Sequence, residues 1–160
     1  MTTDIVDAAA GLASDSPVAA LRRQREAFVR HSQGSHDVLI TPSDPGGLSL
    51  IERAVAALHV ASIERDAALV AHYRKRLLEV GADVVAIEAM NVSPRLEAIL
   101  RHVSLLTTAP GSATRSDLET LRHAGLAERD IVVVAQIVAC VSYQIRVVAG
   151  LRALAEEMRA

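Results

Sequence analysis

The stretch Ile131-Val-Val-Val-Ala-Gln-Ile-Val-Ala-Cys-Val-Ser-Tyr-Gln-Ile-Arg-Val-Val-Ala149 decides the fold. Its β-branched start suits a strand by propensity alone. Yet no glycine or proline interrupts the chain from Glu128 to Ala149, and strands rarely exceed about ten residues. Length therefore assigns the segment to a helix. Gln136, Gln144 and Arg146 break its apolar character, whereas a bilayer span wants roughly 20 predominantly apolar residues. A buried core helix is the favoured reading. Polar groups on such a helix need partners, either across a subunit interface, the preferred reading, or within the chain.

Working outward, caps and breakers divide the rest into helices. Thr114 or Ser116 opens a helix that stops at Gly125, and Pro110-Gly111 is a turn. Ser93-Pro94 and Ser16-Pro17 pair an N-cap with proline at the first helical position. Asp83 starts a short helix reaching Met90. Asp66 caps a helix through Leu69, Tyr73 and Leu77 to Gly81. Ser49-Leu-Ile-Glu52 is a capping box, in which serine and glutamate satisfy each other's backbone donors. The helix from Pro17 is expected to end near Gly34, leaving Ser35 to Leu48, with Pro42, Pro45, Gly46 and Gly47, as the longest loop. Asp4 to Leu12 is a short apolar segment that frays or packs as an arm, with residues 1–14 set apart from the main body. The fold class is all-α, in one domain over residues 1–160.

Composition agrees. Of 160 residues 51% are hydrophobic, but Phe28, Tyr73 and Tyr143 are the only aromatics. The core must be aliphatic, and abundant Ala, Leu, Arg and Glu favour helix. A net charge of −2 gives no general attraction to nucleic acid or anionic lipid. The opening Met1 to Asp7 lacks the basic and apolar regions of a secretory signal. Cys140 is the single cysteine, which admits no intrachain disulfide and fits a reducing cytoplasm. Its apolar neighbours favour an inert core thiol with raised pKa over a nucleophile.

The order of elements carries a resemblance. One half holds Leu48-Ser-Leu-Ile-Glu-Arg-Ala-Val-Ala-Ala-Leu58, a break, and Asp66-Ala-Ala-Leu-Val-Ala-His-Tyr-Arg74. The other holds Ala113-Thr-Arg-Ser-Asp-Leu-Glu-Thr-Leu-Arg-His-Ala-Gly-Leu126 and a long aliphatic helix with Tyr143-Gln-Ile-Arg146. From Leu48 to Leu151 this resembles the peroxidase-related branch of the alkylhydroperoxidase-D-like / carboxymuconolactone decarboxylase superfamily. The resemblance implies an alkylhydroperoxidase-D-like multi-helix bundle of about seven or eight helices, assembled as a homo-oligomer (dimer, trimer or hexamer).

Active members of that family carry Glu-x11-Cys-x2-Cys-x3-His. Their cysteines begin a helix, where the dipole and free N–H groups favour thiolate. Glutamate and histidine move the proton, and the second thiol resolves the sulfenic acid. No register of this chain supplies that set. From Glu52 the other positions are Glu64, Ala67 and Ala71; from His72 they are Ala68, Arg65 and Arg53. The helix break favours Ala54, Asp66, Leu69 and Tyr73. Both thiols are missing in each, so a dithiol peroxidase is not expected. In the third register Asp66 takes the first cysteine's place as a helix cap.

Glu52, His59, His72 and Tyr73 are the candidate acid–base residues, with Asp66 and Glu64 as candidate binding groups at a remodelled small-molecule cleft. Glu52 and His59 are seven apart and share a helical face. The plainer reading makes them a capping box, a cap and solvated histidines. A metal site from His59, His72 and a carboxylate lacks a tight ligand motif. No phosphate loop, nucleophile elbow or zinc signature is present, so no cofactor is expected. His31, His102 and His123 read as structural or surface residues, and His36 falls in the long loop. The segment from Ser116 to Cys140 has no basic reading face for DNA. Three functions compete: a small-molecule protein without peroxidase chemistry, a structural partner of a cysteine-containing relative, and a peroxidase- or decarboxylase-like enzyme using acid–base residues.

Overall fold

A computed structural model describes residues 4–159. Among them are nine α-helices: α1 Ile5–Ala10, α2 Pro17–Arg23, α3 Glu26–Ile40, α4 Leu50–Ile63, α5 Ala67–Glu79, α6 Val84–Glu88, α7 Pro94–Thr108, α8 Arg115–His123 and α9 Glu128–Glu157. A single 3-10 turn, Pro110–Ser112, joins α7 to α8, and no strand occurs among the described residues. The all-α expectation holds.

The capping chemistry read from sequence is present. Ser16, Ser93, Asp66 and Asp83 each accept a backbone N–H at their helix starts. Ser49 and Glu52 complete their box, as Thr114 and Asp117 do theirs. The long loop is shorter than expected. Gly34 does not end a helix: α3 runs on to Ile40, and the irregular segment is confined to residues 41–49. Gly34 lacks the left-handed φ seen at Gly11, Gly81 and Gly125, which do end helices. A glycine within a helix costs about 1 kcal/mol against alanine but does not stop it.

Helix α4 lies at the centre, against α3, α5, α7 and α9. Every residue from Arg53 to Leu58 is buried, with Val60 and Ala61 beyond them. A helix apolar all round belongs inside, and its alanines let neighbouring helices approach closely. By length and composition α9 could cross a bilayer, with 44% of its most apolar window buried in this molecule. Its inward side chains, Ile131, Val134, Ile137, Val141 and Val148, join the core.

The N-terminal segment packs rather than frays. Ile5, Val6 and Ala9 are buried in the same cluster as α4 and α9. Asp4 caps α1 and pairs with Arg22, which also meets Asp7 at 2.7 Å. Residues 1–3, part of the expected arm and of the leader reading, lie outside the described residues.

Arg53 holds the irregular segment against this core although it is only 3% exposed. Its Nε donates to the Leu48 carbonyl at 2.9 Å, Nη1 to Leu39 at 2.7 Å and Nη2 to Pro45 at 2.8 Å. One planar guanidinium thus serves two loop carbonyls and one in the last turn of α3. Burial lowers its pKa, and the Asp130 carboxylate works against that. Gly47 lies so close to Asp130 that a Cβ would sit 2.4 Å from Oδ2, so the loop and the start of α9 fit only without a side chain there. Arg53→Met should retain the packing volume but strand these acceptors. We expect roughly 2–4 kcal/mol of lost stability, read as a lower urea midpoint at unchanged m; an unchanged midpoint would refute the clamp.

Candidate functional site

The sequence candidates divide into separate groups. Glu52 is fully engaged: Oε2 accepts from Ser49 N at 2.8 Å and Ser49 Oγ at 2.9 Å, and Oε1 accepts from Arg95 Nε at 2.7 Å. His59 Nε2 lies 2.7 Å from Ser104 Oγ. Since Ser104 spends its proton on the Leu100 carbonyl at 3.0 Å, His59 donates and carries its hydrogen on Nε2. Burial lowers the His59 pKa, favouring this neutral form. His59 also borders a cavity of about 210 Å3 with Leu58, Ser62, Ile87 and Met90. His72 is not among that cavity's lining residues.

Asp66 is a buried cap. Its Oδ1 accepts from Leu69 N at 2.9 Å, and Arg152 Nη1 pairs with Oδ2 at 2.7 Å. Arg152 Nη2 also donates to the Ala9 carbonyl at 2.7 Å, so one side chain of α9 ties down α1 and α5. Glu64 stands 4.0 Å from Arg146. In the register set by the helix break, Ala54, Leu69 and Tyr73 are 0% exposed and Asp66 is 6% exposed. Those four positions are filled core.

What the fold does assemble is a buried polar cluster from three helices. Tyr73 Oη donates to Gln144 Oε1 at 2.7 Å, and Gln144 Nε2 lies 3.2 Å from His36 Nδ1. The amide can only donate there, so His36 accepts on Nδ1 and is neutral. The His72 ring packs edge-on to His36 at 5.5 Å and to Tyr73 at 5.0 Å between centroids. Burial, with His72 nearby, pushes the His36 pKa down to about 4. Burial lowers His72 likewise and pushes the Tyr73 phenol up. His72 and Tyr73 are therefore neighbours, whereas Glu52 and His59 have other partners. The sequence reading missed His36 because it placed the residue in a loop. Gln144 is satisfied within the chain, the less favoured of its two readings.

The open concavity lies elsewhere. Helices α3 and α9 enclose a groove of about 660 Å3, with Phe28, Ser32, Val38 and Leu39 on one side and Gln136, Ala139, Cys140 and Tyr143 on the other. Its wall is mainly apolar. The Ser32 Oγ is buried there without a hydrogen-bond partner among the described residues. Cys140 is half-buried and lines this groove instead of the closed core. Burial still raises its pKa, and a charge on it would raise that of Tyr73. Among the described residues no group of three His, Cys, Asp or Glu side chains is placed to hold a metal.

No protein-family model and no curated protein matches the chain. Solved structures do. An uncharacterized peroxidase-related protein from Silicibacter sp. TM1040 superposes with a TM-score of 0.71 at 19% identity, over 94% of this chain and 92% of that one. A Ralstonia eutropha JMP134 protein, described as an alkylhydroperoxidase AhpD core and an uncharacterized peroxidase-related protein, gives 0.60 at 25% identity, over 88% and 76%. The architecture of this chain is that of the alkylhydroperoxidase-D-like superfamily.

Proposed function

We propose that this chain is a small-molecule-binding protein without dithiol peroxidase activity, cytoplasmic and homo-oligomeric, whose ligand occupies the α3–α9 groove. The observation that carries the reading is the contrast between two places. The four positions at the α4–α5 junction are buried, while the groove is open, about 660 Å3 and mostly apolar. Small-molecule sites run roughly 300–1,000 Å3, with a few polar groups that fix orientation. Ser32 and Gln136 are such groups here.

In this reading Glu52, His59, His72 and Tyr73 hold the fold rather than move protons. Glu52 joins the loop to α7, and the histidines are held neutral by burial. Self-association rests on Leu78, Val85 and Met90, which are 63%, 75% and 53% exposed on α5 and around α6 and do not line the groove. Exposed apolar side chains of this size mark interfaces when they cluster.

Nile red, a neutral apolar probe, should bind with a fluorescence rise that Ala139→Trp abolishes. Equal binding by that variant would sink the groove assignment. Cumene hydroperoxide with dithiothreitol should show no enzyme-dependent turnover, and measurable turnover that survives Cys140→Ser would restore an acid–base peroxidase.

In sedimentation the wild type should be an oligomer and Val85→Glu smaller; a monomeric wild type would contradict self-association. A second polypeptide retained through purification would favour a mixed assembly with a cysteine-containing relative.

The polar cluster makes a pH prediction. Unfolded His36 binds a proton below about 6.5, whereas folded His36 does so only near 4. Between those values the unfolded chain holds more protons, so stability falls as pH falls through the window. His36 alone should remove about 3 kcal/mol between pH 7 and pH 3. His59, His72 and His102 act in the same direction. Urea unfolding across that range should show a shallower pH dependence in His36→Gln; an identical slope would discount the cluster.

A further inference from the structure

We propose that the groove's ligand is a long-chain carboxylate, with its aliphatic chain along α9 and its carboxylate at Arg25. This rests on the groove being the binding site. The first support is shape. A second cavity of about 370 Å3, between α2–α3 and α9, shares Phe28 and Tyr143 with the groove. Lying end to end, the two cavities form a trough along α9 from Gln136 to Leu154, about 27 Å at the helical rise. A long narrow path suits an extended chain better than a compact ring system. The second cavity's wall is mainly aliphatic, with Val18, Leu21, Val147 and Leu151, and its charged lining residues are the arginines Arg22 and Arg25.

Charge supplies the headgroup. Arg22 and Arg25 both border the second cavity. Arg22 is committed to Asp4 and Asp7. Arg25 has no carboxylate partner among the described residues, and its guanidinium stands 5.3 Å from the centre of the Phe28 ring. Phe28 is the side chain at the waist of the trough, so the cation is fixed beside the apolar path. From Ser16 to His36 the chain carries Arg22, Arg23, Arg25 and Arg30 against one acid, Glu26. A cation beside the middle of a mainly apolar trough, in a chain of net charge −2, is complementary to an anionic amphiphile. A guanidinium fork matches a carboxylate in geometry as well as charge. A neutral chain would bury the same apolar surface and leave Arg25 unused.

The test is calorimetric titration of the full chain with dodecanoate below its micelle concentration, 1-dodecanol and butyrate. Dodecanoate should bind one per chain and roughly tenfold or more tighter than 1-dodecanol, with butyrate undetected. Arg25→Gln should bring dodecanoate to the affinity of 1-dodecanol and leave the alcohol unchanged. Ala139→Trp should lose both ligands while its circular dichroism stays that of the wild type. Equal affinity for acid and alcohol in the wild type would overturn the carboxylate assignment while leaving the groove as a site. Failure of both would overturn the groove reading as well. Several ligands per chain, or binding indifferent to Ala139→Trp, would mark unspecific adsorption and overturn the proposal. So would a second copy seated in the trough, seen as self-association that Ala139→Trp abolishes and Val85→Glu leaves intact.

Discussion

The guanidinium of Arg53, buried in the central helix and bound to two loop carbonyls and one at the end of α3, is the contact on which the rest of the structure depends. A charge in an aliphatic core is costly unless its donors are matched. Here Arg53 is met by loop oxygens from Pro45 and Leu48 and by the Leu39 oxygen at the end of α3. The loop is thereby drawn against the body, Gly47 is pressed to Asp130, and Asp130 in turn accepts from Ala127 N at 3.2 Å where α9 begins. The position of α9 sets the remainder. Its Gln144 reaches the polar cluster, its Arg152 reaches Asp66 and α1, and its outer side makes one wall of the groove.

That dependence explains which parts of the molecule were legible in sequence. Caps are local: Ser16, Ser49, Asp66, Asp83 and Ser93 act within three residues of themselves, so inspection of short windows finds them. The fate of α9 was legible because length overrules β-propensity. Gly34 misled, because a glycine signals a stop only where the chain must turn left-handed, and here it remains helical. Once α3 was shortened, His36 was lost with it.

The candidate site was legible only in fragments. Tyr73 and His72 are adjacent in sequence and visibly polar on an apolar helix. Their partners are 71 and 108 residues apart along the chain, Tyr73 to Gln144 and His36 to Gln144. No local pattern encodes such a pairing. Glu52 and His59 share a face of α4, but sharing a face does not supply a common neighbour: one meets Arg95 from α7 and the other Ser104 further along it. The groove was invisible for a similar reason. Phe28 and Tyr143 are scarce aromatics in a chain with 2% of them, yet only the packing of α3 against α9 brings them to the same trough.

The placement of sulfur separates this chain from dithiol chemistry more firmly than a count of cysteines does. A reactive thiol at the start of a helix faces unpaired N–H groups that stabilise its anion. Cys140 lies in the middle of α9, where backbone donors are spent on the helix itself. Burial raises its pKa, which keeps the thiol protonated. It therefore behaves as part of the apolar lining. At the α5 start, where a thiolate would be favoured, Asp66 already supplies a negative group, and Arg152 neutralises it. The helix end is satisfied, the neighbouring positions are packed, and a thiol restored there would have to compete with a carboxylate–guanidinium pair that also secures α1. The carboxylate that stands at the α5 start in place of a thiol and the packing of the junction thus rest on the same residues.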